Sequence, residues 1–263
     1  MDWVRPGRWG SRAAWIALAA YTAYAVARFD LSRERFVIGL DNGARFIARM
    51  FPPRITQPDS LMSGLAESLE IAILASFVGI LLSLPIGVLA ARNLMPPWVS
   101  WPARALIAAA RSFHPVIVAI VFVKAVGFGA VAGICALVVG SIGFIGKLFA
   151  EAIEEISLKQ VEAVRATGAS FMNTLMYGVM PQVFGRFIGF ATYSLDSNLR
   201  NSTMVGIVGA GGIGGTLFSA FQRFDYDFVA AILLSIIAMI FAGEVLATWV
   251  RAVFLERGRV EEE

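Results

Sequence analysis

Long apolar runs separated by short polar stretches dominate the chain, and several approach the about 20 residues that a membrane-spanning helix needs. Residues 13–27 are apolar but short, with Trp9 and Trp15 placed to anchor the start. Residues 65–91 are long enough to span with tilt. Residues 105–126 follow, with Arg111 and His114 inside the run, and residues 128–149 are nearly free of charge. Residues 187–218 are interrupted by a polar stretch from Asp196 to Thr203, and residues 228–250 close the series. The runs are continuous rather than alternating with period two, so a membrane β-barrel is excluded. The pattern predicts an all-α polytopic membrane protein with about six transmembrane helices. It divides into an N-terminal anchor and interfacial segment (1–60), a transmembrane domain (61–255) and a charged tail (256–263).

Two details of the N-terminal segment follow from patterning. Residues 43–51 set Phe46, Ile47, Met50 and Phe51 against Arg45 and Arg49, which predicts a stretch lying flat at the membrane interface and held by Pro52 and Pro53. Arg5, Arg8 and Arg12 ahead of an apolar run ending in Ala25, Val26 and Ala27 also have the outline of a secretory signal peptide. The aromatic residues Trp15, Tyr21 and Tyr24 favour a retained anchor.

Composition narrows the function classes. Hydrophobic residues make up 58% and charged residues 16%, against about 45–50% and about 25% in soluble domains. Mean hydropathy is +0.72. Cys135 is the only cysteine and His114 the only histidine. That excludes a disulfide scaffold and leaves little for a metal centre. An intramembrane enzyme would want a nucleophile and a base together, and these two residues fall on separate runs. The net charge of +3 bears on orientation rather than on nucleic acid, which is not an expected partner. Arg5, Arg8 and Arg12, then Arg92 and Arg104, then Lys147, Lys159, Arg165 and Arg186, then Arg251, Arg257 and Arg259 share one side if there are six spans. That side is predicted to be cytoplasmic and to carry both termini. Arg28, Arg33, Arg35, Arg45, Arg49 and Arg54 oppose it, diluted by Asp30, Glu34, Asp41 and Asp59.

Residues 147–186 form the longest charged stretch on that side. Ser157 with Gln160 three positions on is a capping-box signature, so a short helix is predicted to start there. Gly168 suits the left-handed position that ends it. Ser170 can cap a second helix running to Pro181. An amphipathic linker would show the same pattern.

Glu162 and Ala163, Gly168 six residues after the glutamate, and Pro181 nineteen after it resemble the cytoplasmic signature of ABC-importer permeases. Val164, Gly178 and Met180 depart from that signature. The phrases around Arg111–Pro115, Glu151–Ile156, Ala166–Ser170, Tyr177–Gln182 and Asn198–Gly214 resemble the phosphonate branch of the family, over about residues 60–255. The resemblance implies a type I ABC importer permease in the plasma (inner) membrane of a prokaryote. Ser157, Glu162, Ala163, Arg165 and Gly168 would then belong to a coupling helix seated in a separate ATPase subunit. One coupling loop per chain implies a homodimer with two ATPases, served by an extracytoplasmic substrate-binding protein and surrounded by membrane lipid. No phosphate-binding loop of the Gly-x-x-x-x-Gly-Lys-Ser/Thr type occurs in the chain. The chain is therefore expected to have no catalytic residue and no cofactor, with ATP and magnesium handled by the partner.

Gly209, Gly211, Gly212 and Gly214 satisfy a dinucleotide-binding pattern literally, but between apolar segments they predict a helix break lining a cavity. Gly129 with Gly133, and Gly185 with Gly189, have the small-residue spacing of helix packing. Ionisable groups at membrane depth are the functional candidates. Arg111, His114, Asp196, Asn198, Arg200, Asn201, Ser202 and Thr203 are expected to border a path for an oxyanion such as phosphonate or phosphate, since guanidinium forks match such anions. Structural alternatives stand beside this. Arg111 can snorkel to the interface, His114 can bond locally, and Asp196 and Arg200 can form a structural pair four residues apart. Rival functions are import of another solute, such as methionine or another amino acid, and a non-transporting membrane scaffold or receptor.

Overall fold

The computed structural model describes residues 8–28 and 32–260, the side chains of residues 8, 9 and 250–260 excepted. Arg5 and Asp30 lie outside that description, as do residues 261–263 of the tail, and the side chains of Arg8, Trp9, Arg251, Arg257 and Arg259 fall outside it too. The chain divides into two compact units, Met1–Pro52 and Pro53–Glu263.

The first unit contains α1 (Arg8–Arg28) and α2 (Arg33–Arg49). Ser32 caps α2, its hydroxyl accepting from the Arg35 N–H at 3.2 Å. The amphipathic stretch expected over 43–51 is thus the end of a longer helix. None of its residues is buried.

The second unit is a helical bundle. α3 (Pro58–Ala90), α4 (Pro97–Ser112), α5 (Pro115–Val126) and α6 (Ala130–Glu154) come first, followed by α7 (Leu158–Ala166) and α8 (Phe171–Thr174). A π-helical turn, Leu175–Val179, leads into α9 (Met180–Ile207), then α10 (Ile213–Gln222) and α11 (Tyr226–Val260). At about 1.5 Å per residue, α3 and α11 each exceed the about 30 Å hydrocarbon core and emerge from it. α11 carries helix into the segment read as a charged tail.

Among the described residues three helices are long and apolar enough to cross a membrane: α3, α6 and α11 to Trp249. A fourth is added if the α4–α5 pair counts as one broken span. The expected six therefore do not appear as six straight helices. The run 105–126 bends by 93° between α4 and α5. Pro115 explains this: the residue before a proline is pushed out of the helical region, and His114 is extended at φ −69°, ψ 140°. The run 187–218 is α9, a turn and α10. Its polar stretch 196–203 does not interrupt the helix, because the side chains bond within the bundle while the backbone stays helical.

Small residues bring the helices together. α3 packs most extensively against α6, where a Cβ at Gly79 would lie 2.5 Å from Ser141 Cβ and one at Gly87 2.8 Å from the Phe149 ring. Gly133 meets the Ala210 carbonyl, whereas a Cβ at Gly189 would meet nothing within 4 Å. One core cluster joins Ile71 and Ala75 of α3, Ala119 and Val123 of α5, Ala136 and Leu137 of α6 and Val205 of α9. A second joins Val88, Phe149, Ile153, Val161, Val179 and Val183 at one end of the bundle. Arg92, Arg104, Lys147 and Arg186 sit at that same end. Arg104 pairs with Glu154 at 2.5 Å and Arg186 with Glu155. At the other end the Arg54 N–H donates to the Asp227 carbonyl at 3.2 Å and Thr56 to Asp225 at 3.1 Å.

Candidate functional site

The short cytoplasmic-type helix is α7, and Val161 fastens it to the core with 1% of its surface exposed. Gly178 sits beneath it: a Cβ there would lie 3.3 Å from Val161 Cα. Ser157 occupies the N-cap, but its hydroxyl makes no capping bond. Gln182 serves the position instead, its Oε1 accepting from the Ser157 N–H at 3.0 Å. The expected pairing with Gln160 is not formed, because a side chain from α9 holds the free N–H instead. Gly168 adopts φ +77° and its N–H bonds the Arg165 carbonyl at 3.0 Å, ending α7 as a left-handed residue does. Ser170 caps α8, accepting from Asn173 at 3.4 Å.

The second helix does not stop at Pro181. It passes through the π-helical turn into α9. Pro181 has no N–H for the Tyr177 carbonyl, and the Met180 N–H reaches back to Leu175. Gln182 Nε2 takes the Gly178 carbonyl at 2.7 Å. Glu162, Ala163, Arg165 and Gly168 are exposed, as are the neighbouring Leu158, Phe171, Met172 and Tyr177.

The expected path residues separate onto two faces of α9. Asn198 points into the bundle, donating to Ser76 at 2.9 Å and to Ser141 at 3.0 Å. Ser141 in turn lies 3.4 Å from the Ser194 hydroxyl. Together with Ser197, Asn201, Tyr193 and Arg111, these α6 and α9 side chains border a cleft of about 240 Å³. Arg111 is the only charged residue in that lining. It stands in the last turn of α4 with its stem against α6, where a Cβ at Gly143 would lie 2.7 Å from Arg111 Cγ. It makes no ion pair among the described residues.

The others lie elsewhere. Arg200 pairs with Asp196 four residues before it; each is two residues from Asn198, about 200° round the helix, on the far side from the Asn198 face. Asp196 faces an apolar groove of about 610 Å³ among α3, α9 and α11. Ser202 bonds the Leu199 carbonyl at 2.8 Å, and the buried Thr203 hydroxyl has no partner. His114 is exposed and bonds locally, Nδ1 accepting from the Val116 N–H at 3.3 Å. Ser76, Ser141 and Ser194 were not read from the sequence. For Ser76 a signal is present in the sequence: Gly64, Ser68, Ala72, Ala75, Ser76, Gly79, Ser83 and Gly87 form one small-residue stripe along α3.

The Arg200 geometry predicts an effect on stability. Asp196 is 14% exposed while Arg200 is 53% exposed. Arg200→Gln leaves the carboxylate unpaired against apolar side chains. Thermal unfolding in detergent should show a loss of about 1–3 kcal/mol, below the 3–5 of a fully buried pair because Arg200 is half exposed. Uptake per folded molecule should be unchanged. An unaltered melting temperature with lost uptake would return Arg200 to the path.

Gly209, Gly211 and Gly212 all have positive φ (88°, 80° and 83°) and turn the chain from α9 into α10, whose second residue is Gly214. The turn is tied to the bundle by the Gly129 N–H on the Gly209 carbonyl at 3.0 Å and by the Ile213 N–H on Ser68 Oγ at 2.8 Å. It borders a cavity of about 450 Å³ that also includes Glu67 and Arg223.

Comparison with known proteins places this architecture. The chain is 43% identical over 206 residues to the phosphate-import permease protein PhnE of Mycolicibacterium smegmatis, covering 78% of this chain and 39% of that protein. It is 42% identical over 203 residues to the phosphite transport system permease protein PtxC of Stutzerimonas stutzeri, covering 77% of this chain and 74% of that one. The chain thus spans well under half the length of the mycobacterial relative. Its fold is similar to a chain of the MetNI methionine ABC transporter in an inward-facing conformation, with a TM-score of 0.60 and 26% identity, covering 72% of this chain and 95% of that one. With residues 83–258 matching the family described as binding-protein-dependent transport system inner membrane component, the chain belongs to that family of type I ABC importer permeases, a transport subunit rather than an enzyme.

Proposed function

We propose that this chain is the membrane-spanning subunit of an ATP-driven importer for a phosphorus oxyanion such as phosphate, phosphite or a phosphonate. The cleft between α4, α6 and α9 carries the reading: one unpaired arginine, Arg111, faces neutral donors from Asn198, Asn201 and serines, with no carboxylate in the lining. Guanidinium and amide groups suit an anion with several acceptor oxygens. Methionine carries an ammonium as well as a carboxylate, and such a solute would want an acid beside the cation. The names of the relatives above point the same way. The contacts are few, as a path requires so that substrate also leaves.

The chain receives its solute from an extracytoplasmic binding protein and its energy from a separate ATPase. The exposed face of α7, with Glu162, Ala163 and Arg165, and the apolar side chains Leu158, Phe171 and Met172 around it, is the surface that ATPase grips. A single α7 per chain supports a homodimer on two ATPases, with the path near the two-fold axis. The α7 end, rich in arginine and lysine, faces the cytoplasm.

Ligand identification on the cognate binding protein, combined with uptake by Arg111→Gln, tests this. A phosphorus oxyanion should be found on the binding protein. The variant should assemble normally and lose uptake about tenfold or more, one charge-assisted contact being worth roughly that factor. An amino acid on the binding protein, or unchanged uptake, would remove the reading.

A further inference from the structure

At the α7 end of the bundle a second cleft, of about 480 Å³, lies between the end of α3, α4 and α6. Arg92, Arg104, Arg111, Lys147 and Glu151 border it, with Ser112 at its edge. Four cations therefore face one acid. Their engagement differs. Arg104 is tied down, Nη2 on Glu154 at 2.5 Å and Nε donating to the Ala90 carbonyl at 2.9 Å. Lys147 has a loose contact with Glu151 at 3.4 Å. The guanidinium groups of Arg92 and Arg111 have no ion pair among the described residues. The Arg92 backbone N–H is held by Glu154 Oε1 at 2.8 Å, which fixes where the side chain starts without neutralising it.

Arg111 borders both this cleft and the neutral-donor cleft beside Asn198. The two are therefore neighbours across one side chain. Seven residues separate Arg104 from Arg111, which sets both on one face of α4. A concave site with two free guanidinium groups and a weakly held ammonium attracts a compact anion with several acceptor oxygens, and guanidinium forks match such oxygens in pairs. Field lines from like charges in a cleft with apolar walls concentrate there, strengthening the pull.

We propose that this basic cleft is a second binding station for a phosphate-class oxyanion, with Arg111 shared between the two stations. It rests on the oxyanion reading given above. Two stations in series keep each contact weak enough to release. The same chemistry is offered by the headgroup phosphate of an anionic lipid, which basic clefts at the cytoplasmic ends of membrane helices also hold.

The test uses the purified full-length chain in nanodiscs of phosphatidylcholine and reads the phosphorus NMR linewidth of added inorganic phosphate. Binding to wild type should broaden the signal. Arg92→Gln with Lys147→Gln should weaken that binding about tenfold or more, by the value of a charge-assisted contact. Arg92→Lys with Lys147→Arg should restore it, which separates charge from folding. Repeating the titration in nanodiscs containing phosphatidylglycerol distinguishes the sources. Persistent broadening assigns the site to the free oxyanion, and broadening abolished by the lipid assigns the same site to a headgroup. Equal linewidths for wild type and the glutamine variant in phosphatidylcholine, broadened or not, overturn the proposal. The readout does not depend on what the binding protein delivers. A phosphate site here with another solute on the binding protein would thus sink the oxyanion import reading while leaving the cleft standing.

Discussion

Gly214→Ala is expected to prevent the second unit from folding correctly. A Cβ at this position would fall on the Thr203 carbonyl oxygen and within 2.8 Å of the Ile207 nitrogen. Both are backbone atoms of α9, so no rotamer change relieves the clash. α10 would have to lift away from α9, breaking the Ile213–Ser68 hydrogen bond that holds the turn to α3. Overpacking costs about 1–3 kcal/mol and more where the backbone must move. A loss of about 3 kcal/mol or more is expected, a large share of the whole stability of a domain. Size-exclusion profiles and thermal unfolding in detergent check this, with Gly189→Ala as the comparison. Gly189 lies in the middle of α9 with open space around it. There alanine should be neutral or stabilise by about 0.5–1 kcal/mol, because it reduces the freedom of the unfolded chain. Equal behaviour of the two variants would refute the close approach of α10 to α9.

Gly168→Val should separate folding from coupling. Nothing lies within 4 Å of a Cβ at this position, so the cost is in the backbone alone. A side chain at φ +77° costs at least about 1 kcal/mol, and a β-branched one more. The turn after α7 therefore opens, while Val161 and the core beneath it are untouched. The variant should reach the membrane in normal amount and melt within about 1–2 kcal/mol of wild type. Native mass spectrometry of the wild-type complex should show two copies of this chain with two ATPases. The variant complex should lose the ATPases more readily and fail to couple hydrolysis to uptake. Normal coupling would refute the role of this turn. One copy of the chain, or a second and different permease chain, would refute the homodimer.

How much was legible beforehand differs from element to element. The ends of α7 were readable because Ser157 and Gly168 act through their own backbone angles. The hydrogen bond expected from Gln160 was not made, because Gln182, 25 residues after Ser157, competes for the same N–H. The bend at Pro115 lies inside a continuous apolar run, so hydropathy alone does not show it. A hydropathy window averages across a proline that costs one backbone donor. The glycine-rich turn was readable as a break, since only glycine takes positive φ without strain. The polar stretch 196–203, which interrupts the apolar run in the sequence, is continuous helix. Polar side chains interrupt a membrane helix only when they have no partners, and partners on α3 and α6 are invisible along one strand of sequence.

By itself the sequence determined what depends on neighbours within a few residues or on bulk composition. It set the membrane as the solvent, the helical class, the short α7 with its glycine stop, and the family resemblance over about residues 60–255. The tertiary structure alone decided which polar groups meet. Asn198 and Arg200 are two residues apart, yet helical geometry sends one to Ser76 and Ser141 and the other to Asp196 on a different face. Arg111 became the cation of the cleft because Gly143 on α6 lets α4 lie against it. Such pairings are set by which helix faces approach each other. That approach depends on small residues distributed over the whole chain, so no local window of sequence contains it.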